Sequence, residues 1–245
     1  MRQSSVIVRS VPVAIRGLPS ALQGLRIAQV TDFHFRRWEP VYEVAQSLLL
    51  EEAFDLVVAT GDFSTQPSGW RRAAGLTNRF FGPVAEQRPC YAVLGNHDHP
   101  GMASNGVTPL RFLCNESIRI AHRGGELVLA GVDQSRRNRE NLGAALDNVT
   151  NGDVCVLLAH SPSTVFRLPR HRVALQLSGH THGGQIRLPW LGCVWSHDRI
   201  SRRMAHGLHW ASEVALHTSA GIGVSMPIPF RINCPAEVVI LTLHA

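Results

Sequence analysis

Apolar runs that stop abruptly at small polar clusters set the rhythm of this 245-residue chain. Residues 25–30 predict a strand that feeds Asp32. Pro40 opens a helix in which Val41, Val44, Ala45, Leu48 and Leu49 recur at one-face spacing, proline being tolerated where a first-turn N–H has no partner. Residues 54–59 predict a strand buried on both faces that delivers Gly61-Asp62, and residues 68–81 a second helix. A third strand over 90–94 ends at Gly95-Asn96-His97-Asp98. Farther on, strands are expected over 126–132, 154–159, 173–177 and 237–243, with a helix over 138–149 and a short one starting at Ser161-Pro162. From Gly192 to the closing strand the pattern is rich in turns.

Strands alternating with helices predict an α/β fold whose site lies beyond the strand ends. No linker, repeat or low-complexity stretch interrupts the pattern, so residues 1–245 read as a single domain. A hydrophobic share of 44% and a charged share of 17% are globular values and exclude disorder. No apolar stretch reaches the roughly 18 residues that a membrane-crossing helix needs. The first eight residues carry an arginine with no sustained apolar region after it, so no secretory signal is read. A cytoplasmic location is expected, peripheral to the inner membrane at most.

Cys90, Cys114, Cys155, Cys193 and Cys234 are odd in number and show no CxxC spacing, which argues against a thiolate metal site or a disulfide framework. Net charge is +6, with a sequence pI near 9.7, and all 24 basic residues are arginine. Arginine grips phosphate bidentately, so anionic partners fit, although codon bias also accounts for the missing lysine.

Five polar clusters close the apolar runs: Asp32-Phe33-His34, Gly61-Asp62, Gly95-Asn96-His97-Asp98, Ala159-His160 and Gly179-His180-Thr181-His182-Gly183-Gly184. In extended backbone, residues i and i+2 project to one side, so Asp32 with His34, and His180 with His182, each present two ligand atoms together. Asp62 offers two oxygens and can bridge two cations, one per oxygen. Asn96 adds a neutral oxygen, and His97 is left to face substrate. Carboxylates, imidazoles and one amide suit a pair of hard-to-borderline divalent cations.

In this order the clusters resemble the signature of the calcineurin-like metallophosphoesterase superfamily. The segment 179–185, the tail 221–227, Arg231 and Cys234-Pro235 are similar to its bacterial YkuE/YaeI-like branch, which contains phosphodiesterases and enzymes cleaving the pyrophosphate of UDP-diacylglucosamine. The resemblance implies a four-layer α-β-β-α sandwich around two mixed sheets. It also implies that Asp32, His34, Asp62 and His182 hold one metal, with Asp62 shared to a second completed by Asn96, His160 and His180. His97 would be the catalytic residue. Many relatives pair that histidine with an aspartate where this chain has Thr65, and protein phosphatases follow it with an arginine where this chain has Gln66. The departure argues against a protein phosphatase and leaves the partner of His97 open.

The expected activity is hydrolysis of a phosphodiester or pyrophosphate bond with two divalent metal ions, Mn²⁺ favoured over Fe or Zn²⁺. A phosphorylated small-molecule or lipid-linked substrate is expected, with peripheral contact to an acidic membrane. Phe33, Phe35, Arg36, Arg37 and Trp38, together with Trp190, Trp195, Arg199, Arg202 and Arg203, are candidates for an aromatic and basic rim. Core tryptophans with solvated arginines are the open alternative. Arg71, Arg72, Arg136, Arg137 and Arg139 read as solvated. His99 is a candidate substrate contact; His122, His171, His197, His206, His209, His217 and His244 read as structural or surface. A nuclease and a silent metal-binding scaffold remain alternatives, though no nucleic-acid module is visible and nucleic acid is not an expected partner.

Overall fold

Long parallel runs of buried residues force two sheets to stack, and helices cover what the sheets leave bare. A computed structural model describes residues 6–136, 138–196 and 198–245. Residues 1–5, Arg137 and His197 lie outside the described residues, and with them part of the segment read for a secretory signal and two of the side chains read as surface. The elements are β1 (Val6–Ala14), β2 (Arg26–Val30), α1 (Pro40–Glu51), β3 (Leu56–Ala59), α2 (Trp70–Ala85), β4 (Cys90–Ala92), β5 (Arg111–Phe112), β6 (Glu116–His122), β7 (Gly125–Gly131), α3 (Leu142–Ala145), β8 (Cys155–Leu158), β9 (Leu175–Ser178), β10 (Arg187–Leu188), β11 (Gly192–Cys193), β12 (Gly207–Ala211), β13 (Val214–Thr218) and β14 (Ala236–His244).

One six-stranded sheet runs β1-β14-β2-β3-β4-β5 and the other β12-β13-β9-β8-β7-β6. Both are mixed: β2, β3, β4 and β5 are mutually parallel, as are β7, β8, β9 and β13, while β14 against β2, β12 against β13 and β6 against β7 are antiparallel. Ile27, Val58, Leu129, Val156, Leu177 and Leu241 fill the space between the sheets. Ala28, Val57 and Ala59 face the other way, against Tyr42, Ala45, Phe80 and Phe81 of α1 and α2. On the far side Val128, Leu157 and Leu216 meet Ala145 and Val165. These are the four expected layers, the last of them thin.

Three expected elements shift for identifiable reasons. The buried face of α1 is Tyr42, Ala45 and Leu49, which rotates Val44 out to solvent. Helix α2 continues past Gly82-Pro83 to Ala85. Pro83 has no N–H to offer the carbonyl of Arg79, and Gln46 of α1 donates to that oxygen at 2.8 Å and to Phe80 O at 2.7 Å. The helix expected over 138–149 contracts to the four residues of α3, capped by Asn141 Oδ1 on Ala144 N at 3.0 Å. Arg172 takes the carbonyls of Leu146 and Val149, which a longer helix would have used.

Strands β1, β6, β12 and β13 were not anticipated. β1, β6 and β12 are edge strands with few fully buried residues, and Pro12 is compatible with β1 because edge positions tolerate a missing N–H. β13 is central and fully buried. Its His217 donates through Nδ1 to Gln29 Oε1 of β2 at 2.7 Å, and Gln29 Nε2 donates to Ser178 O at 2.9 Å. This buried link joins the two sheets beside the ends of β2, β9 and β13. No helix among the described residues is long and apolar enough to cross a membrane.

Candidate metal centre

Six loops converge where β2, β3, β4, β8, β9 and β13 end. Asp32 (φ +54°), His34 (+47°), Asp62 (+56°), His180 (+70°) and His182 (+51°) all adopt the left-handed backbone region. The expected extended i, i+2 geometry is therefore wrong for both pairs. Each such residue costs about 1–2 kcal/mol outside glycine, and the surrounding hydrogen bonds must impose it. They do: Asp32 N donates to Gly61 O at 3.0 Å, His34 N to Asp62 O at 3.0 Å and Gly223 N to Asp32 O at 2.8 Å. His180 N donates to both carboxylate oxygens of Asp32, at 3.1 and 3.0 Å.

The left-handed turns sort the side chains into two groups, Asp32-His34-His182 and Asp62-His160-His180. Within each group one ligand atom per residue lies within 4.8 Å of the others. His180 and His182, neighbours in the sequence, point to different groups. Asp62 joins them: its Oδ2 stands 3.1 Å from His160 Nε2 and 3.6 Å from His34 Nε2. Its Oδ1 is occupied, accepting from His97 N at 2.9 Å. A single oxygen, instead of the expected two, thus faces both groups.

Hydrogen-bond chemistry tests whether cations fit. His160 Nδ1 lies 2.7 Å from Thr60 O, and a carbonyl only accepts, so Nδ1 carries the hydrogen and Nε2 presents its lone pair toward Asp62. Two lone-pair atoms 3.1 Å apart require a proton or a cation between them. His34 Nε2 and His182 Nε2 meet at 3.0 Å, where the tautomers decide which ring donates, with Asp32 Oδ1 3.4 Å from the latter. Burial holds His34 down at about 4, despite Asp62, and holds His182 well below the ordinary imidazole value, so both are neutral and ligand-ready at pH 7. Burial opposes charge on His160 as well, but the Asp62 carboxylate overrides it and raises His160 to about 10. Burial would likewise raise Asp62; His160 and His34 hold it well below the usual carboxylate range. Asp32 is pushed up to about 7 by burial, with His160 opposing and Asp62 adding to the rise. Buried carboxylates facing imidazole lone pairs are a donor set that fits divalent cations.

His97 is half-buried, its ring edge-on to His34 at 5.1 Å. Its Nδ1 meets Thr65 O at 2.8 Å. This main-chain carbonyl can only accept, so it fixes Nδ1 as the donor and leaves Nε2 with the lone pair in the neutral ring. The Thr65 hydroxyl meanwhile donates to His34 O at 3.1 Å. Asn96 is exposed in the turn between Gly95 and His97. His99 accepts from Gly101 N at 3.0 Å and stacks on Trp70 at 5.3 Å.

The sequence profile of the calcineurin-like phosphoesterase family matches residues 25–184. The chain belongs to that family. This metallophosphoesterase is 25% identical over 236 residues to the uncharacterized metallophosphoesterase YkuE of Bacillus subtilis, covering 91% of this chain and 80% of that one. It is 28% identical over 232 residues to the phosphodiesterase YaeI of Escherichia coli, covering 89% and 82%. In fold it is similar to the 5'-nucleotidase precursor of Thermus thermophilus, with a TM-score of 0.54 and 12% identity. That match takes in 89% of this chain and 54% of the other, so the chain spans about half the nucleotidase's length. The metallophosphoesterase is a phosphoester hydrolase of a bacterial branch.

Three residues that position the site escaped the sequence reading. Asp98, fully buried, accepts from Asp62 N at 2.8 Å, Ser64 N at 2.8 Å and Gly95 N at 2.9 Å, stapling two ligand loops together. Arg231 donates to Ala220 O at 2.7 Å, Gly221 O at 3.2 Å and His182 O at 3.4 Å, and to Gly223 O. Glu237 accepts from Ala220 N at 2.8 Å, the Ser219 hydroxyl at 3.1 Å, His206 Nε2 at 3.1 Å and Arg9 Nε at 2.9 Å. Asp98 and Arg231 stand in quoted motifs, yet nothing in the spelling says that their partners are main-chain groups. The expected rim divides. Phe33 and Phe35 are core residues stacked at 4.9 Å, and Trp38 packs under Arg79, whereas Trp190 and Trp195 stand in solvent.

Proposed function

We propose that the chain hydrolyses a phosphodiester or pyrophosphate bond at a site for two divalent cations. Asp62 Oδ2, facing His160 on one side and His34 on the other at 3.1 and 3.6 Å, carries the proposal. Asp32, His34, Asp62 and His182 would hold one cation, and Asp62, Asn96, His160 and His180 the other. When bound, such a pair supplies charge neutralisation at the phosphoryl group and acidification of the attacking water. The protein residues set the rest. Neutral His34 and His182 offer lone pairs without adding charge, and the carboxylates leave the loaded site cationic enough to accept a phosphate. With Nδ1 pinned on Thr65 O, His97 presents Nε2 to a substrate oxygen; in its protonated form it gives a proton to the leaving group.

Imidazole, carboxylate and amide donors suit Mn²⁺, Fe or Zn²⁺ better than Mg²⁺, and Mn²⁺ is the first to try. A phosphorylated small molecule or lipid-linked phosphate fits the +6 charge. The test strips the protein with chelator, reloads each cation, counts bound metal and follows turnover of an aryl phosphodiester, nucleoside-diphosphate lipids, cyclic nucleotides and DNA. Two metals per chain and cation-dependent diester cleavage are expected, both lost in Asp62→Asn. Full turnover by Asp62→Asn, or one metal per chain at full activity, overturns the proposal.

A further inference from the structure

Two adjacent segments beside the first ligand group expose apolar side chains that a freely soluble surface does not display so densely. The β10–β11 hairpin carries Leu188, Trp190 and Leu191 at its tip and Trp195 just beyond, with Trp190 at 105% and Trp195 at 67% relative exposure. Segment 224–232 adds Met226 and Phe230, the latter 51% exposed. The two segments form one surface: Arg187 N donates to Ile232 O at 3.0 Å, Ile232 N to Gln185 O at 2.8 Å, and Gln185 Nε2 to Ser225 O and Ile228 O at 3.1 and 3.2 Å. That surface is tied to the ligands. The hairpin follows Gly183-Gly184 directly, and Arg231 spans from His182 O to Gly223 O, whose own N–H holds Asp32 O.

The charge around the patch selects its partner. Between Gly183 and Ala236 stand five arginines and two acids, Asp198 and Glu213. Asp198 is turned inward to Ser161 at 2.5 Å and to Ser163 N at 3.2 Å, and Glu213 binds His171 at 2.9 Å. Arg199, Arg202 and Arg203 are exposed and make no ion pair among the described residues. Isolated exposed apolar residues need no partner, but a contiguous patch of tryptophan, leucine and phenylalanine marks an interaction surface. Indole and short apolar tips backed by unpaired arginine match the boundary of an anionic bilayer, where rings enter the headgroup region and guanidinium meets lipid phosphate.

We propose that the β10–β11 hairpin and segment 224–232 dock the protein onto an anionic lipid bilayer. The docking stands on this surface alone. Its consequence, that phosphoesters carried by lipids are presented to the site, rests on the phosphodiesterase reading above.

The full chain is floated with phosphatidylcholine vesicles, with and without phosphatidylglycerol. It is expected to rise with the anionic vesicles and to stay down with the neutral ones. Trp190→Ser with Phe230→Ser lowers partitioning by at least about tenfold while turnover of a soluble aryl phosphodiester persists. Arg202→Ser with Arg203→Ser, which leaves every apolar side chain in place, lowers it roughly tenfold and flattens its salt dependence. Doxyl-labelled lipid quenches tryptophan emission in the wild type, and less so in Trp190→Phe. No flotation with anionic vesicles, or flotation indifferent to both double variants, overturns the proposal. So does a concentration-dependent dimer that Trp190→Ser dissolves, which would give the patch to a second copy. Loss of soluble-diester turnover in the wild type would sink the phosphodiesterase reading and leave flotation untouched.

Discussion

Replacing Glu237 with glutamine keeps the shape of a fully buried side chain and removes only its charge and one acceptor. The carboxylate collects four donors: Ala220 N, the Ser219 hydroxyl, His206 Nε2 and Arg9 Nε. The glutamine oxygen can keep the first two, but its NH₂ must then face His206 and Arg9, two donors. Breaking a buried pair from one side costs about 3–5 kcal/mol. Arg9 is 38% exposed, so solvent screens its share to about 0–1 kcal/mol, and the net loss settles near 2–4 kcal/mol. For a chain of this size that lowers Tm by roughly 4–16 °C. Burial opposes ionisation of Glu237, yet His206, Ala220 N and Arg9 hold its carboxyl well below the unfolded value of 4.5. Its stabilisation is therefore present above pH 4.5 and lost as pH falls. Urea denaturation of both proteins at pH 7 and again under acid reads this directly: a gap at neutral pH that closes on acidification. Because Ala220 to Gly223 also hold the backbone of Asp32, metal binding weakens alongside. Equal stability at pH 7, or a gap unchanged by acid, refutes the account.

His97→Ala lowers kcat by about 10²–10⁴ with metal content intact, measured by elemental analysis beside the kinetics; loss of metal instead would make His97 a structural support. Loading cations at pH 7 displaces the proton that Asp62 holds on His160 at about 10 and the share of a proton that burial keeps on Asp32 at about 7, so calorimetry in two buffers of different ionisation enthalpy reads about one to two protons released per chain. Zero release rejects that protonation state. Gly179→Ala drives a methyl into the Thr31 hydroxyl and the Asp32 carboxylate, costing about 1–3 kcal/mol and the first metal in particular. A thermal melt and metal count matching the wild type would show that the contact relaxes freely.

Strands β3 and β8 were legible because both faces are buried and every letter is apolar, whereas β9, Leu-Gln-Leu-Ser, was legible only with the apolar Val173 and Ala174 before it. β13 is just as buried and was missed, since the polar letters His217 and Thr218 break its apolar run and the partner of His217, Gln29, lies far away in the sequence. At the centre, the identities of the clustered residues were readable, but their backbone was not. Aspartate and histidine do not announce a left-handed turn, and an alternation rule built for extended chain was applied where the chain is folded tightly. The partner of His97 was invisible for a simpler reason: it is the carbonyl of Thr65, and every residue has one. Aromatic letters beside Asp32 looked like a rim, although Phe33 and Phe35 turn into the helix-side core while His34 between them reaches the site.

Five positions in this chain keep aspartate or histidine where the backbone would rather have glycine or asparagine. Selection for heat resistance alone would exchange them within a few steps, and the exchange would erase the cation pocket. A gene duplicate freed from its reaction should therefore drift toward those smaller letters at 32, 34, 62, 180 and 182 while its strands stay intact. Such drift is a signature by which silent copies can be told from working ones before either is purified.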